Sequence, residues 1–229
     1  MLSTNFDEIF LIVVAFIVMK FFVNIFFALP ITPIQILWLN IATDGIPAMV
    51  LGLTPTDPDV MKDKPREGLT LTPEIKGPVF LLGIYTAITD VTLYLVLWMV
   101  LIPYWSTIDP MLAGYTIKGS AAYFYAIKLT QTIIFTNLVI CELMFVFTCT
   151  SNIKPFYLFP NKHLFWAVGL SLLLQFLLLY TPLNVAFGLV PLIHWYHWLS
   201  VFLGGVSVSI FDEVRKYVLR RKKRKEGLF

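Results

Sequence analysis

This chain has little charge for its length. Only 14% of its 229 residues are Asp, Glu, Lys or Arg, while 58% are hydrophobic and the mean hydropathy is +0.80. A soluble domain of this size does not need so much apolar surface, so the composition excludes the soluble globular class and indicates a polytopic membrane protein. Cysteine is almost missing. Cys141 and Cys149 stand eight apart on one predicted helix, cannot sensibly pair with each other, and have no metal-ligand spacing around them; they read as small buried apolar residues. Histidine is equally sparse. His163, His194 and His197 sit at or near the ends of apolar segments, and the His194–His197 pair, flanked by Trp195, Tyr196 and Trp198, reads as an interfacial belt rather than a metal site. There is no Gly-rich nucleotide loop, no internal repeat, and no polar segment long enough to fold a catalytic domain. The chain therefore shows no energy source of its own.

What is present is a series of six apolar segments, roughly 6–29, 33–53, 78–102, 122–149, 163–183 and 193–216. Each is near or above the ~20 residues that cross a bilayer. The first is not read as a signal peptide, because it lacks a basic n-region and a small-residue cleavage pattern. The expected fold is an all-α polytopic membrane bundle of six transmembrane helices in a single transmembrane domain over 1–229. Positive charge is unevenly shared. Lys62, Lys64, Arg66 and Lys76 fall in the loop 54–77, Lys154 and Lys162 in 150–162, and eight basic residues between Arg215 and Lys225; the alternate loops contribute only Lys118. The positive-inside rule puts both termini, the loop 54–77 and the basic tail 217–229 in the cytoplasm of a multi-pass protein of the cell membrane. The net charge of +3 is this asymmetry, not a nucleic-acid footprint. The tail sequence RRKKRK reads as a topology anchor that can also touch anionic lipid of the bilayer.

The segment PIQILWLNIATDGIPAMVLGLTPTDPDVMKDKPR, residues 33–66, carries the sharpest signal. Asn40, Thr43 and Asp44 lie at i, i+3 and i+4 in the middle of an apolar run, which puts three oxygen donors on one helical face. A carboxylate at that depth costs about 2.5–3.5 kcal/mol on insertion scales and marks a pathway or a partner. Pro47 has no N–H, and its ring crowds the carbonyl of Thr43, four residues earlier. Gly45 permits departure from helical geometry beside it. The expectation is a second helix interrupted near Gly45–Pro47, half-unwound, offering side-chain and freed backbone oxygens at one point, as interrupted helices do in transporters. The bland alternative is a kinked helix with a buried, protonated Asp44; Thr and Asn beside the acid favour the ion role.

Other polar residues sit inside the apolar segments. Asn5 and Glu8 share a face of the first span, with Asp7 directed elsewhere. Asn137 and Glu142 on the fourth span are five residues apart, about 140° on a regular helix. Asp90 lies midway along the third span, Lys20 within the first and Lys128 near the start of the fourth. Mutual neutralisation or snorkelling accounts for Lys20 and Asp90. No residue on its own helix neutralises Glu142.

These residues resemble the C-terminal membrane region of P-type cation-transporting ATPases, in the calcium-pump branch that includes the sarcoplasmic reticulum pump. PIQILWLNIATDGIPAMVLGL is similar to the sixth membrane helix of that family, and TPTDPDVMKDKPR to the loop after it. STNFDEIF at 3–10 resembles the ion-binding part of the fifth helix, LVICELMF at 138–145 the eighth, and SIFDEVRKYVLRR at 209–221 the end of the tenth. The resemblance implies that Asn5 and Glu8, Asn40, Thr43 and Asp44, and Glu142 supply oxygens to a transported cation, with Asp44 bridging bound ions. A hard divalent cation takes six to eight oxygens, several of them carboxylate, and three carboxylates offset its charge. A soft-metal pump is disfavoured by the absence of a Cys-Pro-Cys thiolate site. The same oxygens serve Ca²⁺, Mn²⁺, Na⁺ or H⁺, so the ion stays open, with Ca²⁺ the one the resemblance suggests.

Three departures qualify the resemblance. The family's DKTGT-like phosphorylation motif, nucleotide and actuator domains and first four helices are not in this sequence. The interval from Glu8 to Pro33 is several residues longer, about two helical turns. The chain begins where the family's fifth helix is already in the membrane. Without an aspartyl-phosphate nucleophile this polypeptide alone cannot run covalent ATP chemistry, so no catalytic residue and no cofactor are assigned. The expected function is the ion-binding and translocation portion of a cation pump, with a separate catalytic polypeptide docking on the loop 54–77. Two alternatives stay open: a non-enzymatic regulatory or assembly subunit, and a passive stand-alone conductor.

Overall fold

A computed structural model describes residues 2–18, 29–53, 73–149 and 162–225. Lys20, Lys154 and most of the loop 54–77 lie outside the described residues, and with them the expectations placed there. Among the described residues the fold is all helix, with no strand. We label the long helices α1 (Leu2–Val18), α2 (Pro33–Leu51), α3 (starting at Pro73 and ending at Trp105), α4 (Ala121–Thr148), α5 (Lys162–Tyr180) and α6 (Trp195–Lys225). Segments Pro33–Leu51, Phe80–Trp105, Ala121–Phe147 and Lys162–Tyr180 are each long and apolar enough to cross a membrane, as expected of a multi-pass membrane protein. Large apolar side chains such as Trp166, Met49 and Val185 cover the outer surface. In water such a shell would be a liability, whereas against lipid tails it carries no cost.

The bundle is built around α4. Its membrane-length window is 83% buried, against 33–39% for the other three segments, so α4 is a central pillar and the others form its wall. Helix α6 packs along α4 most extensively, α1 lies against α3, and the end of α2 meets α5. The α4–α6 contact is close because Gly204 and Gly205 present bare backbone to it. A Cβ built at Gly204 would stand 2.1 Å from Asn137 Oδ1, and one at Gly205 2.6 Å from Ile140 Cγ2. Small residues at such crossings are how helices pack tightly where lipid competes for every apolar surface.

The second helix is interrupted, though by widening rather than unwinding. It runs as α-helix over Pro33–Trp38, as π-helix over Leu39–Gly45, and as α-helix again over Ile46–Leu51. Gly45 (φ −64°, ψ −50°) and Ile46 (φ −65°, ψ −52°) both keep right-handed helical dihedrals. Helix α3 repeats the device, with π-helix over Leu97–Leu101 ahead of Pro103. In both helices the wide stretch ends two residues before a proline. Proline cannot donate to the carbonyl four residues back and pushes against it; shifting the preceding turn to an i→i+5 pattern relieves that crowding without breaking the helix.

Candidate cation site

The π-helical stretch decides which of its side chains turn inward. Thr43 is fully buried and Asp44 is 5% exposed, while Asn40 is only half-buried. The Asn40 amide donates to the Ile36 carbonyl of its own helix at 3.0 Å. Thr43 reaches across to α4: its hydroxyl lies 2.5 Å from Glu142 Oε2 and 2.6 Å from the Leu39 carbonyl. One hydroxyl proton serves one acceptor at a time, so Thr43 can switch between the carboxyl group and its own backbone. Glu142 is 3% exposed.

Helix α1 brings Glu8, 4% exposed, into the same interior. Asp44 lies within electrostatic reach of both Glu8 and Glu142, so three carboxyl groups from α1, α2 and α4 face one region. Asn5 stands apart from them on the exposed side of α1. Asp7, two residues on, is buried instead. The packing of α1 against α3 therefore turns inward a face centred on Asp7 and Glu8 rather than on Asn5 and Glu8. Among the described residues, no three His, Cys, Asp or Glu side chains stand close enough together to hold a metal ion as placed. Like charges repel across a low-dielectric interior.

Polar residues that sequence reasoning passed over hold the π-helical stretch in place. Ser171 on α5 donates to the Ala42 carbonyl at 2.6 Å, satisfying a backbone acceptor inside the wide turn. One turn along α5, Gln175 accepts from Trp38 Nε1 at 3.1 Å, just ahead of the π-helix. Gln35, fully buried near the start of α2, donates to the Phe187 carbonyl at 3.0 Å and accepts from the Thr32 backbone N–H. Phe187 is presented there by the tight turn that closes at Gly188, whose φ of +68° suits glycine. A signal for the α5 pair was available, because Ser171 and Gln175 stand at i, i+4 in an otherwise apolar segment.

The side-chain groups gathered here are oxygens throughout: the carboxyl groups of Glu8, Asp44 and Glu142 and the hydroxyl of Thr43. Such a set suits hard cations and not thiophilic ones. Comparison with known proteins points the same way. Residues 28–218 match the family model described as "Cation transporting ATPase, C-terminus". A calcium-transporting ATPase of Plasmodium falciparum is 32% identical over 86% of this chain and 18% of its own length. One from Bacillus subtilis is 33% identical over 80% of this chain and 18% of its own length. An endoplasmic reticulum-type calcium-transporting ATPase of Arabidopsis thaliana is 29% identical over 96% of this chain and 22% of its own length. The chain thus spans about a fifth of the length of these relatives.

Proposed function

Because this chain belongs to the family of cation-transporting ATPase C-termini, we propose that it binds and passes a hard cation of the Ca²⁺ class through the membrane. Catalytic domains supplied by a separate polypeptide would drive that transport. The observation that carries this reading is the link between the π-helical stretch of α2 and the central helix: buried Thr43 hydrogen-bonded to buried Glu142, with Asp44 beside them. A widened helix beside a conduction path leaves carbonyls that can turn toward a cation. Glu8, Asp44 and Glu142 would supply the charge, and Thr43 would follow the cation by releasing Glu142 and returning to the Leu39 carbonyl. Asn5 and Asn40 would join once further helices cover the face on which they stand. The loop 54–77 would be the docking point for the catalytic part, and both termini would be cytoplasmic. The names of the relatives support Ca²⁺ over Na⁺ or H⁺.

The test is ⁴⁵Ca²⁺ binding to the 229-residue chain in lipid nanodiscs. We expect saturable binding that Asp44→Asn weakens at least tenfold, with the variant still monodisperse. Unchanged affinity in Asp44→Asn would overturn the site.

A further inference from the structure

A second buried polar cluster lies in the bundle, and the site above does not use it. Asp7 on α1 is 3% exposed, while Asp90 on α3 and Asn137 on α4 are fully buried. Asp7 is in hydrogen-bonding contact with Asp90 and with Thr86, one turn before Asp90 on α3. Asn137 Nδ2 donates to Asp90 Oδ1 at 2.5 Å. Three oxygens are left over. Asp7 Oδ1, Asp90 Oδ2 and Asn137 Oδ1 are buried and have no hydrogen-bond partner. A fully buried side-chain amide that donates to one carboxyl group while its own carbonyl stays unpartnered beside Gly204 is an arrangement that proteins ordinarily complete. Two carboxyl groups in contact cannot both be charged unless a cation lies between them. Among the described residues, no Lys, Arg or His pairs with either of them.

The amide is held on target from behind. Only glycine fits at position 204 of α6, because a Cβ there would meet Asn137 Oδ1 at 2.1 Å and Cγ at 2.8 Å. A half-turn of the amide about its last bond exchanges donor and acceptor at the same place. With Nδ2 toward Asp90 the cluster suits the cation-free state; with Oδ1 toward it, the amide becomes a third oxygen ligand. A small, largely apolar cavity lined by Asp7, Leu82, Thr86, Leu138, Cys141 and Glu142 lies between Asp7 and Glu142.

We propose that Asp7, Asp90 and Asn137, with Thr86, form a second position for a hard divalent cation, separate from the one built on Asp44. Two carboxylates from different helices match a double positive charge, and every donor is oxygen. The cavity shared by Asp7 and Glu142 puts this position next to the first one.

Equilibrium dialysis of the full chain in nanodiscs against ⁴⁵Ca²⁺ alone separates this inference from the first. Two ions per wild-type chain are expected. Asp44→Asn should retain one of them, and Asp90→Asn, which is isosteric and keeps the Asn137 contact within reach, should retain the other. Should Asp90→Asn aggregate, Asp7→Asn on the opposite helix is read in the same way, and the Asp44→Asn count already reports the second position without altering it. Retention of one ion in Asp44→Asn and loss of one in Asp90→Asn supports the inference. Full binding in a monodisperse Asp90→Asn chain, or no ion left in Asp44→Asn, overturns it. If a single ion is lost on Asp90→Asn and kept on Asp44→Asn, the first reading fails and this one stands.

Discussion

Replacing Gly204 with alanine adds one methyl group at the closest approach of α6 to the central helix. The added carbon would sit 2.1 Å from Asn137 Oδ1, 2.8 Å from Cγ and 3.0 Å from Nδ2. All three are inside ordinary contact distance, and the obstructing group is a short, fully buried side chain whose amide is engaged by Asp90. Either α6 moves away or Asn137 leaves Asp90. Overpacking of this kind costs about 1–3 kcal/mol, and loss of the Asn137–Asp90 hydrogen bond adds about 1 kcal/mol. A total of about 2–4 kcal/mol in a chain of this length corresponds to a fall in Tm of roughly 5–15 °C. The protein carries its own reporter, since Cys141 is buried within reach of Asn137 Nδ2, at 3.6 Å. In a Cys149→Ser background, which removes the exposed thiol, labelling of Cys141 by a fluorogenic maleimide on heating records the loss of packing at that spot. Gly169→Ala on α5 is the control, because a Cβ there meets nothing within 4 Å. Gly204→Ala should label earlier by several degrees while Gly169→Ala melts as the parent does. Coincident curves for the two variants would refute the close α4–α6 approach and the fixed aim of Asn137 with it.

Two further outcomes follow from hydrogen bonds and charges elsewhere in the bundle. Ser171→Ala leaves the Ala42 carbonyl without its donor inside the π-helical stretch, a loss of about 1–3 kcal/mol for a buried acceptor. Thermal unfolding in detergent should show it, and Ser171→Thr should restore most of the loss. At the far end of α6, Lys216 is fully buried 3.3 Å from Asp212. Lys216→Met should destabilise by less than the about 3–5 kcal/mol of an orphaned buried partner, because Arg215 stays 2.6 Å from Asp212; adding Asp212→Leu to Lys216→Met should not cost the sum of the two single changes, and additivity in that double-mutant cycle would show the pair to be uncoupled.

How much of this could be seen in the sequence depends on what each residue's position is set by. Apolar runs of membrane length identify helices because lipid offers the backbone no partner, and four of the expected spans meet that test among the described residues. Buried Thr43, Asp44 and Glu142 were also legible, since an acid or hydroxyl deep in an apolar run has few reasons to be there. The form of the interruption was not. Pro47 and Gly45 announce a disturbance, yet whether a helix unwinds or widens depends on who satisfies the carbonyls ahead of the proline. Here Ser171, from a helix more than a hundred residues away in sequence, supplies the donor to Ala42. The rotation of α1 was hidden for a related reason. Asn5, Asp7 and Glu8 lie within one turn, and a turn of three polar residues does not state which of them faces inward. That is settled by what waits on α3 and α4: Asp90 and Thr86 hold Asp7, and Asn137 completes the group only because Gly204 leaves room for its amide. Asn137 and Glu142, about 140° apart on one helix, thereby serve different neighbours. The angle that made them look loosely matched from sequence is the one that lets a single pillar carry two separate polar clusters.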